Sequence, residues 1–340
     1  IVISISHICS SMLQPLFGFL ADNSLKRFFI FWGVILASLF IPLAPLATSI
    51  PMLLLFMILG SLGGSFFHPQ SMGFVNYFAG KDCSNVMGIF ISMGSLGFSI
   101  GPLLAALITQ KFGLNTISYT SIIGLVLAIV MFLVVPKLSA IEKKPERKDF
   151  IKTFKDIFKC KQMNYLMLIS GMKSLITNSS CILLPFLWKS MNCSPFYIGA
   201  ALFLFIFAGA IGSFLSPKAE AKWGSKPVIY FSMCATFPLM CLFACVYKSY
   251  SILSLAIFFI IGFTTMLAQP VTMVLAQKTL PQYKSIVAGF INGFCWGIVA
   301  LSMSLLGIVA QNFGIINVLV ILSIVPVISS YYVKFLRTDL

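Results

Sequence analysis

Apolar blocks of roughly 20 residues, broken by short polar or basic stretches, run along almost the whole chain. A helical block of that length crosses a hydrocarbon core about 30 Å thick. Inside lipid every backbone polar group needs a partner within the protein, so a spanning chain is either helical or a closed barrel. Barrel strands alternate polar and apolar residues with period 2, and segments such as Ile122–Val135 and Leu253–Phe263 show no alternation. The pattern predicts eleven helical spans near residues 1–20, 28–48, 51–78, 84–110, 116–136, 163–190, 196–216, 227–247, 251–276, 284–312 and 315–336. Ile1–Leu20 lacks the basic region and small-residue cleavage site of a signal peptide.

Composition excludes a soluble domain. Of 340 residues 59% are hydrophobic and 9% charged, against about 25% charged in soluble domains. Mean hydropathy is +1.02. The net charge of +15 would suit nucleic acid, but its placement points elsewhere. Lys26, Arg27, Lys81, nine residues between Lys137 and Lys161, then Lys218, Lys222, Lys226, Lys278, Lys284, Lys334 and Arg337 all fall in alternate loops or the C-terminal tail. The remaining loops hold only Lys111, Lys189 and Lys248, and Lys173 lies inside a span. This is the positive-inside bias, so the lysine-rich loops and the C-terminus are expected on the cytoplasmic side. Ile1 would then lie outside. With the hydrophobic start, that predicts one more helix before residue 1 and twelve in the intact protein.

The longest polar stretch, 137–162, divides the chain into an N-terminal bundle over 1–136 and a C-terminal bundle over 163–340. Within it Phe150, Ile151, Phe154, Ile157 and Phe158 recur at helical spacing among lysines, which predicts an amphipathic helix drawn to anionic lipid; a solvated linker is the plainer reading. The halves repeat. A shift of 201 residues lays Pro69 on Pro270, Met72 on Met273, Val86 on Val287, Gly88 on Gly289, Leu104 on Leu305, Gln110 on Gln311, Phe112 on Phe313 and Gly113 on Gly314. Two repeats joined by a cytoplasmic loop is the arrangement of carriers that rock two bundles about a midplane site.

Ionisable groups inside a membrane are expensive and are candidates for function. His68 shares a helix face with Ser61 and Ser65, beside Pro69 and Gln70; it would titrate near neutral pH, or be held by hydrogen bonds at the kink. His7 sits on a stripe with Ser4, Ser11, Gln14 and Gly18, a face for a cavity or a polar seam and not for lipid. Lys173 lies about 16 Å into its span at 1.5 Å per residue, with Thr177 and Ser180 near its face. A buried lysine needs an anion, a carbonyl cage or a lowered pKa. It would bind a phosphonate or carboxylate, or pair with a group on a preceding helix. Gln269, Asn292 and Trp296 would complete a polar and aromatic cavity, or act as glue between helices. No expected span contains Asp or Glu. Proton coupling would therefore use the histidines, or an acid upstream of Ile1.

The connection Gly18-Phe19-Leu20-Ala21-Asp22-Asn23-Ser24-Leu25-Lys26-Arg27 resembles the G-x-L-A-D-x-x-G-R-[RK] loop of the major facilitator superfamily, departing from it at Leu25. The resemblance implies a gate loop: Gly18 permits close helix approach and Asp22 latches to a helix end in one conformation. The corresponding segment Ser213-Phe214-Leu215-Ser216-Pro217-Lys218 lacks the acid. Gly88, Gly97, Gly101 and Pro102 look like the superfamily's antiporter motif, which implies close packing and export coupled to proton entry. Leu13-Gln14-Pro15, Phe67-His68-Pro69-Gln70-Ser71, the run Gly97–Ala106, Lys173 and Ala276-Gln277 before Leu280-Pro281 are similar to the fosmidomycin-resistance branch. Lys278 departs from it where an acid is expected.

The resemblance implies an all-α major facilitator fold of two six-helix bundles in a bacterial inner membrane, a monomer, and proton-coupled efflux of a small amphiphilic or anionic compound. Metabolite uptake by the same fold is the alternative. A non-transporting sensor or scaffold would want a sizeable soluble domain, which the 26-residue central stretch does not provide. No enzyme constellation, cofactor motif or metal-ligand spacing is present: the two histidines lie 61 residues apart, the nine cysteines form no C-x-x-C, and Gly60, Gly63 and Gly64 precede no Gly-Lys-Ser/Thr.

Overall fold

A computed structural model of the chain describes residues 5, 6, 8–24, 27–136, 149–249 and 252–339. The candidates His7 and Lys26, with Leu25 and most of the central stretch before residue 149, lie outside them. Among the described residues the chain is helical throughout, as the absence of period-2 alternation requires.

A π turn, Ile8–Met12, leads into α1 (Gln14–Ser24), followed by α2 (Phe28–Leu43), α3 (Ile50–Ala79), α4 (Cys83–Phe112) and α5 (Thr120–Val134). The short α6 (Phe150–Lys159) precedes α7 (Lys161–Ser190) and α8 (Pro195–Trp223). One later pass is made of α9 (Ser225–Cys234) and α10 (Thr236–Val246), the next of α11 (Ile252–Leu267) and α12 (Gln269–Thr279). The next joins α13 (Lys284–Ala288), a π turn over Gly289–Phe294 and α14 (Cys295–Phe313); α15 (Ile315–Ser329) is last. Nine described stretches are long and apolar enough to cross a membrane, and the one over Ile50–Phe112 comprises two helices, α3 and α4. Ten of the expected spans are thus present as such; the first, near 1–20, lies partly outside the described residues.

Glycine marks where the passes end. Gly113 and Gly314, one repeat apart, follow α4 and α14 with φ of 86° and 85°. A side chain would be strained there, and glycine alone enters that region without cost. One span is longer than its apolar run: the pattern ends it at 216, yet α8 continues to Trp223. The segment 213–218 is therefore helix and not a loop, because a membrane helix tolerates proline where neighbours serve the freed carbonyl.

Polarity is distributed inside out relative to a soluble protein. Ile252 is 87% and Leu133 75% exposed, exposures that suit hydrocarbon and not water. The buried face of α7, by contrast, carries Ser170, Lys173, Ser174, Thr177, Asn178, Ser179 and Ser180.

The chain falls into two compact units, one of Ile1–Phe78, Ala105–Lys161 and Ala276–Leu301, the other of Ala79–Leu104, Gln162–Leu275 and Ser302–Leu340. Each half of the sequence thus contributes one segment to the unit dominated by the other half. Close backbone approach is the reason. In the first unit a Cβ on Gly18 would lie 2.5 Å from Ser285 O and 2.7 Å from Ile286 Cα, and one on Gly289 would lie 2.6 Å from Gln14 O. In the second unit a Cβ on Gly88 would lie 2.6 Å from Pro217. The second unit is closed by an apolar cluster in which Phe205 stacks on Phe258 at 4.5 Å and Trp188 meets Phe258 edge-on.

The amphipathic helix expected in the central stretch is α6, capped by Asp149, whose carboxylate accepts the Lys152 N–H at 2.7 Å. Its apolar residues divide. Phe150 meets Phe19 edge-on at 5.0 Å, Phe154 and Phe158 both meet Phe290, and Ile157 is fully buried. Ile151 is 63% exposed, and Phe150 and Phe158 keep part of their surface open beside it.

Candidate functional site

Three groups of side chains carry the candidate chemistry. The first is the Asp22 loop. Asp22 sits in the last turn of α1, inside the helix. Its carboxylate accepts the backbone N–H of Ser285 at 3.0 and 3.1 Å and that of Ile286 at 3.0 Å. Both amides belong to the first turn of α13, whose N–H groups have no partner within the helix. A carboxylate there gains from charge-assisted bonds and from the positive end of the helix dipole. Gly18, one turn earlier, allows the two backbones to approach closely enough for this contact. Arg27 serves another joint: it donates to Val135 O at the end of α5 and lies 4.7 Å from the centre of the Phe132 ring.

Sequence reading missed the second unit's counterpart of this arrangement. Glu220, near the end of α8, accepts hydrogen bonds from Ser84 Oγ and, at 2.7 Å, from Ser225 Oγ. Ser84 is the residue that the 201-residue shift lays on Ser285. The acid missing from 213–218 is thus present about one turn further on. The available signal was Ser84, which matches Ser285 in the repeat and marks where an acid should be sought.

The second group surrounds α1 and the following π region in the first unit. Gln14 is buried, donates to Ser10 O at 2.8 Å, and accepts from Asn292 Nδ2 at 3.4 Å. Ser11 lies in the adjoining π turn and is buried. Trp296 Nε1 and His68 Nδ1 are buried and have no hydrogen-bond partner among the described residues. Near His68, Ser65 Oγ donates to Cys9 O at 2.5 Å, and Ser61 bonds to Ser6. Gln70 differs from its neighbours. Its amide oxygen accepts the Ile30 N–H at 2.8 Å, near the start of α2, so it fixes a helix end.

The third group lies in the second unit. Lys173, only 2% exposed, donates through Nζ to Gln269 Oε1, itself 2% exposed. Gln269 opens α12 directly after the break that ends α11, and Pro270 follows. By the repeat shift Gln269 is the counterpart of His68. The rest of the α7 face satisfies itself: Ser174 donates to Ser170 O at 2.7 Å, Asn178 to Ser174 O at 3.0 Å and Thr177 to Lys173 O at 3.4 Å. Such bonds to the preceding turn leave a polar lining without needing a partner helix. Ser180 Oγ has no partner among the described residues.

The antiporter-like motif divides. Gly88 packs tightly against Pro217. Gly97, Gly101 and Pro102 are exposed, and a Cβ on either of these glycines would meet nothing within 4 Å among the described residues. Among the described residues close packing is seen at the first glycine of the motif.

Apolar helices carrying a polar interior, an internal repeat and a carboxylate on a helix end define a polytopic helical membrane protein of the carrier type. The sequence pattern of the Major Facilitator Superfamily matches residues 1–304, and the chain belongs to that family of transporters. It is similar to the fosmidomycin resistance protein of Escherichia coli (strain K12), at 27% identity over 95% of this chain and 80% of that protein. It is also similar to an uncharacterised transporter of the same superfamily, YfnC, from Bacillus subtilis (strain 168), at 23% identity with the same coverage. In three dimensions it resembles the superfamily transporter FucP in its outward conformation, with a TM-score of 0.74 over 99% of this chain and 89% of that one, at 14% identity. The fold is the all-α major facilitator fold.

Proposed function

We propose that this chain is a secondary active transporter that works by alternating access and exports a small amphiphilic or anionic compound in exchange for protons. The observation that carries the reading is the Lys173–Gln269 pair at the helix break of the second unit. A lysine within a span that donates to an amide oxygen is a site for an anion, because a phosphonate or carboxylate oxygen can take the place of that amide oxygen. The relative with 27% identity is named for resistance to a drug, which favours export.

In this reading Lys173 and Thr177 bind the anionic group, with Gln269 orienting the ammonium. Ser11, Gln14, Asn292 and Trp296 line the amphiphile's path. His68 takes up and releases a proton at Nδ1, while Gln70 holds the neighbouring helix start. Asp22 is the latch that must separate from Ser285 and Ile286 when the gate opens, and Gly18 permits the close approach there. Gly88 keeps α4 and α8 together, with Gly97, Gly101 and Pro102 facing outward on the same helix. The two rocking bundles are residues 1–136 and 163–340, tied by 137–162, with that tie and the C-terminus on the cytoplasmic side of a bacterial inner membrane. The working unit is the monomer.

Transport into inverted membrane vesicles, with and without an imposed proton gradient, tests the proposal. Gradient-dependent accumulation of a phosphonate or an amphiphilic carboxylate is expected. Accumulation that ignores the gradient, or none for any anionic or amphiphilic compound, would overturn it.

A further inference from the structure

A groove of about 700 Å³ in the second unit runs between the first turns of α9 and the end of α15, with Lys226, Tyr230, Ile328, Tyr331 and Lys334 on its walls. Its chemistry is split. Tyr230, Ile328 and Tyr331 are each more than half exposed and form an apolar wall continuous with two apolar passes. At one end lie the two lysines. Lys226 Nζ donates to the backbone carbonyl of Lys334 at 3.2 Å, so both lysines belong to the same end of the groove. Lys334 Nζ stands 3.4 Å from the centre of the Tyr331 ring and 4.8 Å from that of Phe335. Among the described residues no carboxylate pairs with either lysine, and the groove wall contains no acidic residue. Two lysines at one end of an apolar wall, with no carboxylate on that wall, favour an anion there.

A soluble phosphate would meet the charges and leave the wall bare. A neutral lipid would cover the wall and leave the charges unmet. Tyrosines at the end of a span belong at headgroup depth, and basic pockets between membrane helices hold acidic headgroups. We propose that this groove binds an acidic phospholipid, its phosphate between Lys226 and Lys334 and an acyl chain along Tyr230 and Ile328.

Native mass spectrometry of the detergent-purified protein, titrated with dioleoylphosphatidylglycerol or dioleoylphosphatidylcholine, reads the site. The wild type is expected to hold phosphatidylglycerol about tenfold more tightly than phosphatidylcholine, as two lysines near a headgroup allow. Lys226→Ala/Lys334→Ala should abolish that preference. Lys226→Arg/Lys334→Arg should keep it, as should Lys189→Ala/Lys248→Ala, which removes the same charge elsewhere. Inorganic phosphate should not displace the lipid. Equal binding of the two lipids by the wild type, displacement by phosphate, or an unchanged preference in the double alanine variant would each overturn the proposal.

Discussion

Asn76 and Gln277 occupy the same place in the two repeats and are bonded to each other, Asn76 Nδ2 donating to Gln277 Oε1 at 3.0 Å across a separation of 201 residues. Counterparts of a duplication that touch lie close to the axis relating the repeats. Gln277 is buried and its Nε2 also donates to Met72 O and Lys284 O, each at 3.2 Å. One side chain therefore serves α3 and the start of α13. Gln277→Ala leaves three groups without it and should cost about 1–3 kcal/mol. The reciprocal swap Asn76→Gln/Gln277→Asn should recover part of that loss, as a coupled pair does. Thermal unfolding of the purified variants checks both; a swap no better than Gln277→Ala would mean the pair is not coupled.

Asp22 and Glu220 each hold the start of a helix in their own unit. Asp22→Ala removes the acceptor of two backbone N–H groups and should destabilise the latched state by about 1.5–3 kcal/mol, enough to shift an equilibrium roughly 10–100-fold. Asp22→Asn should be milder, because one oxygen still accepts. Glu220→Gln should behave like Asp22→Asn, since its partners are two hydroxyls. Reaction of a thiol placed at position 285 with a water-soluble reagent reports the change, in a protein whose nine native cysteines have been replaced. Unchanged reactivity in Asp22→Ala would rule out a latch at this contact.

Two glycine substitutions should part company. A Cβ on Gly18 would run into backbone atoms of Ser285 and Ile286, which cannot rotate away. Gly18→Ala should therefore lose at least about 1–3 kcal/mol as overpacking does. A Cβ on Gly97 meets nothing within 4 Å among the described residues, so Gly97→Ala should be neutral, or stabilise by up to about 1 kcal/mol through helix propensity. Yield and monodispersity on size-exclusion chromatography would separate them.

Lys173 and His68 should fail in different ways. Lys173→Met removes a buried charge while keeping volume, so stability should hold or rise. Uptake of an anionic compound should fall about tenfold or more, and that of a neutral amphiphile should not. Gln269→Glu supplies an internal anion for Lys173 and should lower anion transport in the same way. His68→Ala should leave binding in place and flatten the dependence of transport on pH. Equal losses for anionic and neutral compounds in Lys173→Met would remove that lysine from substrate recognition.

The helices were readable from the chain because lipid forces long unbroken apolar runs, and the repeat was readable because Pro69, Gly88 and Gly113 recur at one spacing. Partnerships were not. Nothing in helical periodicity joins Lys173 to Gln269, 96 residues away, or turns Gln70 toward Ile30. The apolar run ends at 216, whereas α8 continues through Pro217 to Trp223. The acid of the second repeat was sought at the place equivalent to Asp22 and lies a turn later. Gly97 and Gly101 looked like packing positions because small residues in a span usually are.

The helix after the central stretch has a consequence for the integrity of the chain. Phe150 reaches back to Phe19, and within the same unit Asp22 holds Ser285 and Asn76 holds Gln277. A protease that nicks the backbone between residues 137 and 148 would therefore not release a free fragment. The severed pieces would stay joined through those contacts, and the two fragments would migrate as one particle until a denaturing detergent pulled them apart.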